Sequence, residues 1–263
     1  CFGLSEPGAG SDVSGIQTTA VRNGDGYVVN GSKMFITNAG RASWIVCFAS
    51  TDRSKGHRGL SAFVIPMEAD GVTIEKHLDK MGQRATDTSA VAFQDVVVPE
   101  SSRLGGEGDG FKIAMQTLDG GRIGIAAQAL GIAQAAYDVA HAYALEREQF
   151  GRPIIDNQAI AFMLADMKTE IDAARLLVWR AAWMGRNQVP FTNAEGSMSK
   201  LKAGEVAVWA TERAIQILGG NGYTREFPVE RWHRDAKIYT IFEGTSEIQR
   251  LVVARAISGR QIR

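Results

Sequence analysis

The chain has 263 residues, with 29 Lys+Arg against 29 Asp+Glu and therefore a formal net charge of zero. A general nucleic-acid binder needs surplus cations to displace the counterions of the phosphate backbone, so the charge balance argues against that class of protein. The hydrophobic fraction of 45% is typical of a folded globular protein, and no apolar run approaches the ~18 residues that would cross a bilayer. The only two cysteines, Cys1 and Cys47, provide neither a disulfide framework nor a cysteine-based metal site, which predicts a reducing compartment.

The composition changes near residue 110. Residues 1–110 hold 16 of the 29 glycines and 10 alanines, whereas residues 111–263 hold 13 glycines and 25 alanines. Short β-rich runs separated by turn residues fill the first part and predict an antiparallel sandwich or barrel. Asn30-Gly31 lies between two of these runs, and this dipeptide is the best short-range signal for a two-residue turn. We therefore expect a β-hairpin at Asn30-Gly31.

The second part is predicted to be helical, because its apolar residues recur at three-, four- and seven-residue steps. Four helices are predicted, over about 111–146, 158–184, 192–218 and 246–257. Capping-box patterns at Thr192 and at Ser246 mark the starts of the last two, and the glycines after Leu218 end the third. Long amphipathic helices joined by short breaks favour an antiparallel bundle.

Several common functional motifs are absent from the sequence. No G-x-G-x-x-G, Gly-Lys or G-x-S-x-G pattern occurs, so a dinucleotide fold of the strand–helix crossover type, an NTPase phosphate loop and the common hydrolase elbow have no support. The four histidines are far apart in sequence and lack the spacing of metal ligands. We therefore predict no metal site.

Two segments of the β-rich part carry groups that can face a ligand. The glycines, proline and hydroxyl residues of Leu4–Asp12 predict a tight loop whose backbone N–H groups point outward. Phe35 and Thr37 point to the same face of a strand, where an aromatic ring and a hydroxyl can cover a flat ring and bond its edge. Taken singly, each pattern is also that of a plain turn or an ordinary half-buried strand.

Three further segments lie in the helical part. Arg147 and Arg152, at the end of the first predicted helix, either complement the helix dipole or clamp a phosphate. The three glycines within 219–222 indicate close approach of the backbone to something flat or charged. Glu243 has apolar neighbours, which can raise the pKa of a carboxyl group and suit it to be a general base, although most loop glutamates are simply solvated.

Together these segments resemble the FAD-dependent acyl-CoA dehydrogenase family, most closely its short-chain, butyryl-type members. The resemblance keeps the family's order and separations along the whole chain, and it is carried by Leu4–Asp12, Phe35–Thr37, Leu118–Gln134, Glu146–Gly151, Gln216–Gly222 and Glu243–Arg250. It implies an α+β protein, with a middle antiparallel β-barrel domain over 1–105 and a C-terminal four-helix bundle domain over 106–263. The N-terminal helical domain of the family is expected to be missing.

The resemblance implies oxidation of an acyl-CoA thioester to the trans-2-enoyl-CoA. Glu243 would remove the α-proton while a β-hydride passes to N5 of FAD, and an electron-transfer flavoprotein would receive the electrons. The Glu243 N–H and a flavin ribityl hydroxyl would stabilise the enolate charge. In the isovaleryl branch of the family the base lies on the helix near Arg122, but Asp119-Gly120-Gly121-Arg122 contains no glutamate, which favours Glu243.

The resemblance also implies a set of contact residues. Contacts to the subunit's own FAD are expected from Phe2, Leu4, Ser5, Phe35, Ile36 and Thr37. Thr245 and Glu247 match positions near the adenosine part of the cofactor. Contacts to the FAD of a neighbouring subunit are expected from Arg147, Phe150, Gln158, Gln216, Gly219 and Gly220. Acyl-CoA contacts are expected from Ser11, Asp119, Arg122, Phe242 and Gly244. Phe35 and Phe242 depart from the family, which has Trp and often Tyr there, so one ring N–H and one hydroxyl are lost.

The family forms a homotetramer, a dimer of dimers, that acts in fatty acid β-oxidation, in the cytoplasm of bacteria or in the mitochondrial matrix of eukaryotes. The resemblance implies the same assembly here, without membrane insertion. Two alternatives stay open: a flavin oxidase that uses O2, as acyl-CoA and nitroalkane oxidases do, and a catalytically silent binding subunit, against which the retained Glu243 argues. The preferred acyl chain also stays open, because part of its pocket is expected in the N-terminal domain.

Overall fold

The computed structural model describes residues 1–262, which form two compact units, Cys1–Thr117 and the chain from Leu118 onward. Strands dominate the first unit and helices the second, which confirms the α+β class. The boundary between the units falls inside the first long helix. The expected domain boundary at residues 105/106 stays a prediction.

Eight strands form one sheet in the first unit: β1 (Phe2–Gly3), β2 (Thr19–Asn23), β3 (Gly26–Thr37), β4 (Trp44–Ser50), β5 (Leu60–Pro66), β6 (Val72–His77), β7 (Thr88–Pro99) and β8 (Arg103–Leu104). Their order is β6-β7-β3-β2-β4-β5-β8, with β1 beside β4. The β1–β4 and β2–β4 pairings are parallel and the others are antiparallel. Among residues 1–262 the end strands β6 and β8 do not pair, so the sheet is open where we expected a closed antiparallel barrel.

The hairpin expected at Asn30-Gly31 is wrong, because β3 runs straight through both residues. Gly31 has φ 147° and lies at an irregularity in the pairing of β3 with β7. A Cβ at this position would lie 2.5 Å from Thr18 Oγ1. Gly31 therefore permits a β-bulge and the close approach of Thr18, which lies just before β2. The turn that joins β2 to β3 lies earlier in the chain, at Gly24.

The core of the sheet unit is continuous across its central strands. Ile45 and Cys47 of β4 and Phe63 and Ile65 of β5 are completely buried. The Tyr27 ring of β3 packs edge-on against Phe63, with 4.9 Å between the ring centroids. Burying each such apolar side chain stabilises the fold by about 1.5–3 kcal/mol.

The helical unit contains five α-helices within the described residues: α1 (Gly110–Glu146), α2 (Gln158–Arg186), α3 (Glu195–Leu218), α4 (Val229–Ala236) and α5 (Ser246–Ser258). The two-residue strands β9 (Glu148–Gln149) and β10 (Arg152–Pro153) form a hairpin after α1. The four predicted helices correspond to α1, α2, α3 and α5, whereas α4 was not predicted. Within residues 1–262 no helix combines the length and the apolar character that crossing a bilayer requires.

Helix α3 is in contact with α2, α4 and α5. Its buried face consists largely of small residues, which let other backbones approach closely: Ala203, Gly204, Ala207, Ala210 and Ala214. A Cβ at Gly204 would lie 2.7 Å from the carbonyl oxygen of Tyr239. Near Gly204, therefore, α3 lies directly against the 3-10 turn Lys237–Thr240, which precedes Glu243.

The predicted helix caps are only partly right. Ala194, in a left-handed conformation, precedes α3 and no side chain caps this helix, so Thr192 is not its cap. The Glu195 carboxylate accepts a hydrogen bond from the Asn193 N–H, as the glutamate of a capping box would from the cap residue. At α5 the cap is Thr245, one residue before the predicted Ser246, and its Oγ1 accepts a hydrogen bond from the Ile248 N–H.

Candidate active site

Glu243 lies in the short link between the 3-10 turn Lys237–Thr240 and α5. Glu243 has φ 54° and Gly244 has φ 88°, so two consecutive residues adopt left-handed conformations. For a residue with a side chain this conformation costs about 1–2 kcal/mol, so surrounding contacts must hold it. Strain of this kind concentrates at functional sites, which makes the turn a candidate site.

Two buried side chains hold the carbonyl groups of this turn. Gln249 Nε2 donates to the Glu243 and Gly244 carbonyl oxygens, both at 3.0 Å. Lys200 Nζ, from α3, donates to the Gly244 carbonyl oxygen at 2.6 Å. Within residues 1–262 the Glu243 N–H has no partner. The turn therefore has a free N–H donor at Glu243, while its carbonyl groups are held by hydrogen bonds from Lys200 and Gln249.

The Glu243 carboxyl group is held in a poorly solvated position. Its Oε2 atom is buried and forms no hydrogen bond with any described residue. It faces α1 at Gly121, where a Cβ would lie 3.0 Å from Oε2. Burial raises the pKa of Glu243 above its ordinary value of 4.5, against the opposing charges of Arg122 and Lys200. A carboxylate whose affinity for a proton is raised in this way is suited to general-base chemistry.

Arg122 and Lys200 place positive charge around the carboxylate. Arg122 is buried, and its Nη1 donates to Asp119 Oδ1 at 2.6 Å and to Ser197 Oγ at 3.3 Å. Lys200 is 1% exposed, and burial lowers the pKa of its ammonium to about 8. Neither cation forms an ion pair with Glu243 in the described chain.

Unpartnered polar atoms concentrate around this turn. Five buried side-chain polar atoms of the described chain lack a partner, and four of them belong to Arg122, Glu243, Ser246 and Gln249. Buried polar groups in native proteins are normally hydrogen-bonded, so a cluster of exceptions calls for a ligand or bound water. This cluster is the strongest candidate site of the helical unit.

Phe35 and Thr37, which we expected to face a flat ring, lie at the end of β3. Phe35 has φ 61° and is 64% exposed, and Thr37 is also exposed, whereas Ile36 between them is buried in the sheet core. The side chain of Ile36 is therefore enclosed in the sheet core, so that a contact to a ligand would come from its backbone. The Met34 N–H donates to the Ser5 carbonyl oxygen at 2.9 Å, which ties the Leu4–Asp12 loop to β3.

The remaining residues of the first unit lie in that loop or just before it. Leu4 is buried, Ser5 is half-buried and Ser11 is exposed. Phe2, in β1, packs edge-on against Phe48 with 5.0 Å between the ring centroids. The structure thus brings Ser5 and β3 together and leaves Ser11 at the surface.

The other predicted contact residues lie at the far end of the helical unit. Phe150 is 95% exposed at the tip of the β9–β10 hairpin, where it has φ 56° and Gly151 has φ 77°. At the end of α3, Gly219 and Gly220 are exposed, and a Cβ at either would meet no atom within 4 Å. Exposed residues at or next to these two turns complete the group: Arg147, Gln158 and Gln216.

One hydrogen bond shows that these two turns belong to the same end of the unit. Asn221 Nδ2, after α3, donates to the Tyr143 hydroxyl near the end of α1 at 2.9 Å. Along α3, Gln216 follows Lys200 by sixteen residues, which corresponds to about 24 Å at 1.5 Å per residue. Within one chain, therefore, the group around Phe150 and Gly219 does not meet the cluster around Glu243.

Thr245, Glu247 and Phe242 flank the Glu243 turn. Thr245 is engaged in capping α5, and Glu247 in the first turn of α5 is exposed. Phe242 packs edge-on against Tyr239, with 5.5 Å between the ring centroids. The structure therefore places Phe242, Gly244 and Thr245 beside Glu243, together with Asp119 and Arg122 from α1.

Sequence reasoning missed Lys200, Gln249 and Ser197. A signal for Lys200 existed, because it falls on the same helical face as the small residues Gly204 and Ala207, where a lysine is out of place. Gln249 and Ser197 gave no comparable signal, because polar residues of their kind are common on the exposed faces of helices. Within residues 1–262 no group of three or more His, Cys, Asp or Glu side chains is placed to hold a metal ion.

Comparisons with known proteins cover almost the whole chain. The family profile described as acyl-CoA dehydrogenase, middle domain, matches residues 1–96, and that described as acyl-CoA dehydrogenase, C-terminal domain, matches residues 108–258. The mitochondrial short-chain specific acyl-CoA dehydrogenase of Bos taurus is 57% identical over 254 residues, which are 97% of this chain and 61% of that protein. The chain thus spans about three-fifths of the length of such curated relatives.

Solved structures of similar proteins also match almost the whole chain. Butyryl-CoA dehydrogenase from Megasphaera elsdenii has a TM-score of 0.95 and 52% identity, with 97% of this chain and 67% of that chain covered. A chain from work on the electron transferring flavoprotein of Acidaminococcus fermentans has a TM-score of 0.96 and 51% identity, with 98% and 68% covered.

Proposed function

Because the chain belongs to the acyl-CoA dehydrogenase family, we propose that it forms the larger part of a flavin-dependent dehydrogenase that converts an acyl-CoA thioester to the trans-2-enoyl-CoA. The observation that carries this proposal is the Glu243 carboxyl group, whose buried Oε2 has no partner in the described chain and whose pKa is raised by burial. We assign Glu243 as the base.

The chemistry required of the protein is removal of a weakly acidic α-proton. The α C–H bond breaks, its proton forms an O–H bond with the Glu243 carboxylate, and negative charge develops toward the thioester oxygen. A donor aimed at that oxygen lowers the barrier, because it interacts more strongly with the developing charge than with the neutral carbonyl. The free N–H of Glu243 itself is the donor that we assign to this role.

FAD, when bound, supplies the acceptor for the β-hydride, and the residues of the first unit fit its flat ring. Phe35 offers an exposed aromatic face, and Thr37, which is also exposed, offers a hydroxyl for the ring edge. The Ser5 segment is fixed to β3 by the hydrogen bond from Met34. We assign the remaining own-subunit contacts to Phe2, Leu4, the backbone of Ile36, Thr245 and Glu247.

A second group of contacts is assigned to the cofactor of a neighbouring subunit. The group around Phe150, Arg147 and Gly219 is exposed and lies about 24 Å along α3 from the Glu243 cluster. Residues so placed cannot serve the chain's own base, and we propose that a homotetramer brings them to another chain's site. Gln158, Gln216 and Gly220 belong to the same group.

We assign the acyl-CoA thioester to the surroundings of Glu243. The buried Arg122 pairs with Asp119, whose side chain is 58% exposed, so this pair links the cluster to the surface. Phe242 and Gly244 flank the base, and Ser11 is an exposed hydroxyl of the first unit. A short acyl chain is the substrate class of the named relatives in Bos taurus and Clostridium acetobutylicum.

The finer architecture and the partners are also proposals. We propose a middle domain over 1–105 completed as a β-barrel, a four-helix bundle over 106–263, and a homotetramer built as a dimer of dimers. An electron-transfer flavoprotein is the proposed acceptor, supported by the similarity to a chain from work on the Acidaminococcus fermentans flavoprotein. The proposed compartment is the cytoplasm in a bacterium or the mitochondrial matrix in a eukaryote.

The decisive experiment replaces the base in the flavin-loaded protein. Glu243→Gln is expected to lower turnover of butyryl-CoA with a dye acceptor by about 10²–10⁴-fold while the yellow colour is retained. Glu226→Gln, at an exposed glutamate that forms no hydrogen bond or ion pair within residues 1–262, is the matched control and should turn over normally. Unchanged turnover in Glu243→Gln would remove the assignment.

A second measurement separates a dehydrogenase from an oxidase. Anaerobic bleaching by butyryl-CoA followed by slow reoxidation in air is expected. Rapid release of peroxide would instead identify an oxidase, and no bleaching would identify a silent binding subunit. A panel of straight and branched acyl-CoA esters then ranks the substrates.

A further inference from the structure

Lys200 is a buried cation that the proposed chemistry leaves without a role. It is 1% exposed and projects from α3 one helical turn before Gly204. The missing side chain of Gly204 lets α3 approach the Tyr239 carbonyl, and this approach brings Lys200 within 2.6 Å of the Gly244 carbonyl oxygen. Lysine is almost never fully buried without compensating contacts, so this placement needs an explanation.

The Lys200 ammonium makes one hydrogen bond within the described chain, although it has three N–H donors. The charged groups that act on it are Glu243, Arg122 from α1, Glu247 from α5 and Glu205 on its own helix. The groups that act on Glu243 are Arg122 and Lys200. Lys200 therefore contacts the turn directly and faces its carboxylate through space.

We propose that Lys200 is a positioning residue for the base: its ammonium holds the Gly244 carbonyl, and thereby the left-handed turn that carries Glu243, while its charge favours the ionised form of the Glu243 carboxyl group. This inference rests on the proposed function only in taking Glu243 as the base. Lys200 itself touches neither substrate nor the transferred proton.

Gln249 offers an internal comparison, because it holds the same turn without a charge. It is fully buried, and its Nε2 donates to the carbonyl oxygens of Glu243 and Gly244. A variant at Gln249 disturbs the position of the turn alone, whereas a variant at Lys200 removes position and charge together. The difference between the two variants isolates the effect of the charge.

The test is an infrared titration of the Glu243 carboxyl group in the flavin-loaded protein, alongside the pH profile of kcat/KM. The Glu243 band is assigned by its loss on Glu243→Gln in each background. Lys200→Met is expected to move the titration midpoint, and the acidic limb of kcat/KM, up by about one pH unit, because a nearby positive charge is lost. Lys200→Arg should keep the midpoint near the original value, since it retains the charge.

Gln249→Met is expected to lower kcat without moving the midpoint. An unmoved midpoint in folded Lys200→Met, or an equal shift in Gln249→Met, overturns the proposal. If Lys200→Met does not fold, Lys200→Gln is compared with Lys200→Arg by the same criterion. If Glu243→Gln keeps its turnover while the infrared midpoint still depends on Lys200, the assignment of the base fails and the electrostatic coupling stands.

Discussion

Lys33 Nζ lies 2.8 Å from Glu6 Oε1, and both side chains are almost completely buried. Lys33 also donates to the Leu4 carbonyl oxygen at 3.3 Å. The Glu6 carboxylate in turn accepts hydrogen bonds from the Gln17 and Thr18 N–H groups, at 2.6 and 3.0 Å. This ion pair therefore fixes the loop that carries Ser5 to the middle of β3 and to the entry of β2.

Lys33→Met is expected to destabilise the protein by about 3–5 kcal/mol, because it leaves the Glu6 carboxylate buried without its cation. The measurement is urea unfolding followed by circular dichroism. Lys76→Met, at an exposed lysine of β6, is the control and should change the unfolding free energy by less than about 0.5 kcal/mol. Equal stability of the two variants would show that the buried pair contributes nothing.

Glu243→Gln is expected to raise the unfolding free energy at pH 7 by about 1 kcal/mol, since it removes a poorly solvated charge. The unfolded carboxyl group ionises near its ordinary pKa of 4.5, whereas the folded one ionises at a higher pH because of burial. Stability from this group is thus full below pH 4.5 and is lost as the pH rises through the folded pKa.

The gain should therefore vanish in denaturant titrations below pH 4.5 and grow toward neutral pH. Glu226→Gln should show no such trend. A variant that is less stable than the parent at pH 7 would contradict the buried state of Glu243.

Phe150→Ala is expected to leave the unfolding free energy within about 0.5 kcal/mol, because the side chain is 95% exposed and has little packing to lose. If the hairpin tip contacts another subunit's cofactor, the same variant loses FAD on dialysis, which the ratio of flavin to protein absorbance measures. Phe162→Ala, at a 59% exposed phenylalanine of α2, is the control that should retain its flavin. Equal retention in both variants would exclude the hairpin tip from the cofactor site.

Gly204→Ala is expected to cost about 1–3 kcal/mol, because its Cβ would meet the Tyr239 backbone at 2.7 Å and the carbonyl cannot rotate away as a side chain can. Turnover should fall as well, since Tyr239 precedes the Glu243 turn by four residues. Gly131→Ala in α1 meets no atom within 4 Å and should instead stabilise the protein by about 0.5–1 kcal/mol. The measurement is thermal unfolding of the Gly204→Ala and Gly131→Ala variants. Equal melting temperatures would refute the close packing of Gly204 against the Tyr239 backbone.

The long helices could be predicted because a period of 3.6 residues is a local property of the chain. The Asn30-Gly31 hairpin could not be excluded in this way, because the role of Gly31 depends on a tertiary contact with Thr18, thirteen positions earlier. An Asn-Gly dipeptide is compatible with either a turn or a β-bulge, and only the tertiary contact with Thr18 distinguishes the two. Turn residues likewise do not indicate whether the first and last strands of a sheet pair, so the open sheet could not be predicted from them.

The proposed base, Glu243, was recognisable from its apolar sequence neighbours, but its electrostatic surroundings were not. Arg122 and Lys200 are 121 and 43 residues away in sequence, and both are residue types that usually face solvent. Their burial follows from the packing of α1 and α3, not from any local pattern. Charged residues that reach a candidate site only through helix packing are thus harder to predict than a residue marked by its own sequence neighbours.

The group around Phe150 and Gly219 lies toward the C-terminal end of α3, about 24 Å along that helix from Lys200 and the Glu243 cluster. In the proposed assembly this separation has a genetic consequence. Each chain then contributes to two different catalytic centres, one through its base and another through its hairpin tip. A chain damaged at Glu243 still carries an intact hairpin, and a chain damaged at Phe150 still carries an intact base. Co-expression of two such inactive alleles should restore a fraction of whole centres, so that two recessive defects complement each other inside one oligomer.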